Sequence, residues 1–164
     1  MKHYYLVILL LLLFVSCKKT NEAPLVSYHE MEIGTDSNGV FTITDTVTLE
    51  QEWNKALSKA GQSAVLEDFK IVTVITDGPV KKECFILVAS ESKGIIKVAS
   101  LLLKRNNSFY FDPDNPANII CTGDCTNGCL PTAMTNASGV VRLVCSACGD
   151  CEKSDVLLSF PIDN

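Results

Sequence analysis

The spacing of hydrophobic residues changes near residue 48. Between Val40 and Val47 apolar residues alternate with polar ones, which predicts a half-buried strand with alternate side chains on one face. From Leu49 to Ala60 they recur every three or four residues, which predicts an amphipathic helix over 48–60. Thr48 and Gln51 have the spacing of a capping box, and Gly61 follows where a C-terminal glycine is expected.

After residue 70 the pattern favours strands. Apolar, β-branched or aromatic runs are separated by short turn-forming segments such as Asp77-Gly78-Pro79. The runs are 71–76, 84–90, 95–103 and 108–111. Successive strands with short connections predict an antiparallel β meander. We therefore expect an α+β fold in which the helix packs on one face of a small sheet.

The chain begins with a separate apolar run. Lys2 precedes an uninterrupted apolar stretch from Leu6 to Val15, and Ser16 and Cys17 follow directly. A membrane-spanning helix needs roughly 20 apolar residues, so this stretch has the length of a signal peptide core instead. A small residue at position 16 suits signal cleavage. Residues 1–16 are therefore predicted to be a cleavable signal peptide.

Phe14-Val15-Ser16-Cys17 resembles the lipobox of bacterial lipoproteins, although Phe14 stands where leucine is more usual. The resemblance covers residues 1–17. It implies that Cys17 carries diacylglycerol and further acyl chains of the palmitate type. Two or more such chains anchor a protein firmly to a membrane. The implied location is the bacterial cell envelope, with the membrane as a partner. An ordinary secretory signal and a short uncleaved anchor are the alternatives.

Composition limits the classes of partner. The chain has 14 basic and 19 acidic residues and a net charge of −5. Nucleic-acid binding needs clustered basic residues, so this balance argues against it. Residues 17–27 are mostly polar and predict a lipidated tether, followed by a single globular domain over 28–164. A cysteine-rich, loop-dominated C-terminal module is predicted over 117–155.

Six cysteines concentrate in this module as two spaced triplets. They are Cys121, Cys125, Cys129, Cys145, Cys148 and Cys151. In an exported chain such a group favours disulfides, which hold loops that bury little apolar surface. The sequence does not determine their pairing. Cys84 opens a separate apolar strand and is predicted to be a buried free thiol.

Metal binding is an alternative for the same module. Cys121, Cys125, Cys145 and Cys148 could provide four thiolates for zinc or an iron–sulfur cluster. Their spacing matches this chemistry only in part, because Asp155 occupies the position of a fourth ferredoxin-type cysteine. The main prediction is therefore a protein without a cofactor.

Thiol–disulfide exchange is a further alternative, because Cys145-Ser-Ala-Cys148 and Cys148-Gly-Asp-Cys151 are C-x-x-C pairs. A reactive first cysteine usually lies at a helix N-terminus, and no helical pattern follows Cys145. His29 follows the tether and lies in no hydrolytic motif. We therefore expect a non-catalytic binding or structural protein. An envelope protein or a glycan could be its partner.

Overall fold

The computed structural model describes residues 30–125 and 129–156. In chain order its elements begin with β1, Glu32–Ser37; β2, Val40–Ile43; α1, Thr46–Lys59; β3, Leu66–Ile75; β4, Glu83–Glu91; and β5, Ile96–Arg105. They continue with β6, Ser108–Phe111; β7, Asn118–Thr122; β8, Pro131–Thr135; β9, Val141–Cys145; and β10, Glu152–Val156. The fold class is as predicted: antiparallel sheet, a helix and a cysteine-rich C-terminal region.

The main sheet has eight strands and branches at β5. One edge of β5 pairs with β4, which also pairs with β3. The other edge is shared: residues 96–99 pair with β7, and residues 102–105 pair with β6. From β6 the sheet continues through β1 to β2, and from β7 it continues to β10. All these pairs are antiparallel, and β3 to β6 form the predicted meander.

Helix α1 covers one face of this sheet through Leu49, Trp53 and Leu57, all fully buried. These three residues belong to the first hydrophobic core, and the sheet supplies its other buried members. Those are Ile33, Leu66, Ile71, Leu87, Ala89, Val98, Leu102, Phe109, Phe111 and Ile120. The Asn54 side chain accepts from the backbone N–H of Leu66 at 2.7 Å and donates to its carbonyl at 3.2 Å, which ties the helix to the start of β3.

The predicted helix is correct, but it starts two residues earlier than predicted, and its N-cap lies three residues before Thr48. The N-cap is Asp45, whose carboxylate accepts from the Thr48 backbone N–H at 3.0 Å and from its hydroxyl at 2.6 Å. Thr48 therefore lies inside the first turn. The predicted strand over 40–47 correspondingly ends at Ile43, and Val47 is an exposed helical residue. The end at Gly61 is as predicted, with a positive φ of 78°.

The second face of the sheet is covered by the β8–β9 hairpin, which forms a separate two-stranded sheet. Alternating residues of β4, β5 and β7 point towards it and build a second core with the hairpin. The buried members of this core are Ile86, Val88, Ala99, Leu101, Ile119, Cys121, Cys129, Ala133 and Leu143. The C-terminal module thus contains more strand than its turn-forming residues indicated, because these strands pair with distant partners.

A hydrogen-bonded joint connects this hairpin to the turn between β3 and β4. The backbones of Asp77 and of Ala133 and Thr135 exchange bonds of 2.8 and 2.7 Å. The buried Thr135 hydroxyl donates to the Val80 carbonyl at 2.5 Å. This joint, together with the disulfides described below, fixes the module against the main sheet.

Among residues 30–125 and 129–156, no helix combines the length and apolar character needed to cross a membrane. The predicted signal peptide, Cys17, the tether and His29 lie outside the residues that the structure describes. The first two residues of the predicted domain and its last eight also lie outside them.

Candidate functional site

The six cysteines of the C-terminal module lie in three bonded pairs. Cys121 pairs with Cys145, Cys125 with Cys148, and Cys129 with Cys151. Their Cα atoms are 5.6, 6.5 and 5.4 Å apart, all within the range of disulfides. Each cysteine of the first triplet is thus bonded to the cysteine in the same position of the second triplet. The structure supports the predicted disulfide framework and supplies the pairing that the sequence left open.

One of the bridges connects two strands, and a second connects segments that flank strands. Cys121 lies on β7 of the main sheet, and Cys145 ends β9 of the hairpin, so their bridge joins the two sheets. Cys151 directly precedes β10, the strand that pairs with β7. The Cys129–Cys151 bridge therefore ties the segment before the hairpin to the segment after it. The module is thus cross-linked at the end of β9, through Cys145, and again beyond it, through Cys151.

Close backbone packing accompanies the bridges. A Cβ atom at Gly123 would lie 2.6 Å from the Asp150 carbonyl oxygen, so only glycine allows this approach of the two loops. Ser146 holds the base of the hairpin: its hydroxyl accepts from the Leu130 N–H at 2.9 Å, and its own N–H donates to the Leu130 carbonyl at 2.8 Å. Sequence reasoning missed both residues. The local signal is their position between cysteines: Gly123 lies in the three-residue spacer after Cys121, and Ser146 in the two-residue spacer after Cys145.

Three sulfurs of the module lie close together. The Sγ atoms of Cys121, Cys129 and Cys145, here called the sulfur trio, are all within 4.8 Å of one another. Cys121 and Cys129 are fully buried, and Cys145 is half-buried. The metal alternative named a different set, in which Cys125 and Cys148 completed the site with Cys121 and Cys145. These four residues instead form two disulfides.

The C-x-x-C pairs do not form internal disulfides. Cys145 and Cys148 are bonded to Cys121 and Cys125, and Cys151 is bonded to Cys129. Residues 146–156 contain no helix, so no helix begins at Cys145 whose dipole could lower the pKa of its thiol. The pairing gives no support to the alternative of a redox-active C-x-x-C motif.

Cys84 is the free cysteine among the described residues. It lies on β4 beside the second core and is half-buried, whereas we expected full burial. Burial raises the pKa of its thiol, and the neighbouring Glu83 carboxylate raises it further. A raised pKa keeps this thiol protonated and poorly nucleophilic.

Two carboxyl groups have lowered pKa values, each with a structural cause. The Lys104 ammonium hydrogen-bonds Asp36 and lowers its pKa, helped by the Gly39 backbone N–H. The Thr48 hydroxyl and backbone N–H lower the pKa of Asp45 at the helix N-cap. Neither carboxyl group lies in the cysteine-rich module.

Comparison of the chain with protein-family models, with curated proteins and with solved structures finds no match.

Proposed function

We propose that this chain is a lipid-anchored protein of the bacterial cell envelope whose stapled domain has a binding or structural role. The observation that carries the proposal is the set of three disulfides within one short module. Disulfides of this kind persist in oxidising compartments outside the cytosol. The lipobox-like residues ending at Cys17 agree with that location, because they specify export and lipid attachment together.

A non-catalytic role is part of the proposal. Within residues 30–125 and 129–156, the clearly shifted pKa values are those of Asp36, Asp45 and Cys84, and an ion pair, a helix cap and burial account for them. These groups lie on separate elements. Catalytic groups usually have shifted pKa values and converge on one cleft. The arrangement therefore favours a framework that presents a surface to an envelope protein or a glycan.

The test of location and anchoring uses the full chain expressed in a bacterial host with its own leader. We expect incorporation of labelled palmitate, release of the first sixteen residues, and recovery in the membrane fraction. The matched control is Cys17→Ala, which should lose both label and membrane attachment. Label that persists in Cys17→Ala would contradict the lipid assignment.

The test of the stapled module is the mass of the same protein before and after reduction. Three bridges make the native protein about 6 Da lighter than its fully reduced form, because each bridge lacks two hydrogens. Peptide mapping should then recover the three pairs described above. Six free thiols in protein isolated from the envelope would contradict the disulfide part of the proposal.

Metal binding is a second candidate, favoured by the sulfur trio. Thiolates this close together could share one zinc ion, whose bonds to sulfur are about 2.3 Å long. The same cysteines cannot be thiolates and disulfides at once, so the two candidates exclude each other for a given molecule. Elemental analysis of protein isolated without chelators decides between them: one metal per chain together with free thiols would replace the disulfide proposal.

A further inference from the structure

Two disulfides of the module meet at the sulfur trio. The inner bridge, Cys121–Cys145, supplies two of its sulfurs, and the outer bridge, Cys129–Cys151, supplies the third. The Cys129 sulfur is therefore within 4.8 Å of both sulfurs of a bridge to which it does not belong. Cys151, Cys125 and Cys148 are not members of the trio. The Cys129 sulfur is thus held next to a second disulfide.

We propose that Cys129, once released from the outer bridge, exchanges with the inner bridge, so that electrons can pass between the two disulfides. Thiol–disulfide exchange requires a thiolate next to a disulfide sulfur, and the fold provides this proximity in advance. Cys121 and Cys129 are both fully buried, so an external thiol is hindered from attacking either sulfur directly, and exchange between them is favoured by their proximity inside the fold. Cys151 and Cys145 are half-buried, so each bridge has one partly exposed cysteine at which reduction can begin.

The first step consumes an external dithiol. One of its thiolates attacks the Cys151 sulfur, the bond to Cys129 breaks, and Cys129 leaves as a thiolate. The second thiol of the reagent then displaces Cys151. The reagent departs as a disulfide, and its two electrons and two protons remain on Cys129 and Cys151.

The second step is internal. The Cys129 thiolate attacks the Cys145 sulfur, a Cys129–Cys145 bond forms, and Cys121 leaves as a thiolate that takes up the proton. Attack on Cys121 is the equivalent alternative, with Cys145 as the leaving group. Cys151 can then attack Cys129, which restores the outer bridge and leaves the inner pair as two thiols. The two electrons have moved inward, and the Cys125–Cys148 bridge takes no part.

The experiment compares two variants of the full chain that lack the same bridge. Cys151→Ser leaves Cys129 free inside the trio, whereas Cys129→Ser leaves Cys151 free outside it. Each protein is incubated near pH 8.5, where thiolate is well populated, then quenched by alkylation and mapped by mass spectrometry. Cys151→Ser should yield peptides that link Cys129 to Cys121 or Cys145, at about tenfold or more above the level in Cys129→Ser.

Equal levels in the two variants, or Cys129 as the sole alkylated cysteine of the module in Cys151→Ser, would overturn the proposal. A second measurement uses the unmodified protein with limiting dithiol, which avoids any folding defect of the variants. Trapped intermediates should include Cys151 alkylated together with a Cys129–Cys145 or Cys121–Cys129 link. Intermediates without either link would also overturn it.

This inference assumes the disulfides of the proposed function, and the two can fail separately. If the native protein shows no Cys121–Cys145 or Cys129–Cys151 peptides, the stapled module itself is wrong. If the native map is as described and no rearranged link forms, only the exchange is wrong.

Discussion

Lys104 and Asp36 form an ion pair that connects β5 to β1 across the intervening strand β6. Their side chains are 29% and 13% exposed, and the Lys104 ammonium also lies 5.4 and 5.8 Å from the ring centres of Phe85 and Phe109. Both partners are held by packing, which reduces the entropy lost when they pair. This pair should therefore contribute more to stability than the exposed pairs on the surface.

The lowered pKa of Asp36 makes this contribution depend on pH. The ion pair stabilises the fold above the unfolded-state pKa of about 3.9, and its contribution is lost as the pH falls through the lower folded-state value. Asp36→Asn should lower the free energy of unfolding at pH 7, and its difference from the wild type should shrink in acid. Urea titrations across this range measure it. Asp68→Asn, in an exposed pair with Lys70, should change little.

The buried hydroxyl groups of Ser100 and Thr135 differ in their hydrogen bonding. Ser100 is buried on β5, and its hydroxyl has no hydrogen-bond partner in the described part of the chain. The Thr135 hydroxyl is also buried but is bonded to both backbone groups of Val80. Ser100→Ala should therefore leave stability unchanged or raise it by up to about 1 kcal/mol, and Thr135→Val should cost about 1–3 kcal/mol. Equal losses in thermal or urea unfolding would contradict this difference.

At the scale of elements, substitutions near the start of α1 can test which residue caps the helix. Asp45 accepts hydrogen bonds in the first turn, whereas Gln51 is an exposed residue of the helix interior. Asp45→Ala should lower the unfolding midpoint because the first-turn N–H groups lose their acceptor. Gln51→Ala should leave it unchanged or slightly raised, since alanine is the best helix former. The opposite order in parallel denaturant titrations would restore the predicted capping box.

The sequence predicted those elements that have a local pattern of apolar residues bounded by turn-forming residues. Strands β4, β5 and β6 lie within two residues of their predicted bounds, because apolar residues and turns define them locally. Strand β10, Glu-Lys-Ser-Asp-Val, has no such pattern and forms by pairing with β7 next to a disulfide. Strand β1 was missed for the same reason, since glycine and polar residues occupy most of it. Non-local pairing determines these strands.

For the cysteine site, the sequence likewise predicted the members but not their spatial arrangement. Its six members and their bonded state were expected from their number, their clustering and the predicted export signal. Their pairing depends on β7, β9 and β10 lying side by side, which no spacing of the cysteines encodes. The sulfur trio likewise arises from that arrangement.

At the scale of the whole molecule, the joint between the two sheets depends on Gly78. Its φ is +109°, and a Cβ atom there would lie 2.3 Å from the Thr135 carbonyl oxygen. Gly78→Ala should therefore destabilise the protein by about 2 kcal/mol or more, through strain and displacement of β8. Gly94→Ala is the control, because φ is also positive there but the space is open. It should cost only about 1 kcal/mol. Similar losses would show that packing at the joint is unimportant.

The three disulfides should also contribute unequally to the stability of the whole molecule. The Cys121–Cys145 and Cys125–Cys148 bridges close chain segments of nearly equal length, with sequence separations of 24 and 23. In the chain-entropy model each restricts the unfolded chain by a similar amount, about 3 kcal/mol. The inner bridge differs because Cys121 is fully buried in the second core, whereas Cys125 and Cys148 are half-buried.

Replacing both cysteines of the inner bridge by alanine should therefore cost more than the same change at Cys125 and Cys148. The additional loss should be about 1–2 kcal/mol, because a cavity forms beside the hairpin only in the first case. Urea unfolding of the two double variants gives the comparison, with intact Cys129–Cys151 verified by mapping. Equal losses would mean that the bridges act only on the unfolded chain, and that the second core does not depend on the buried sulfurs.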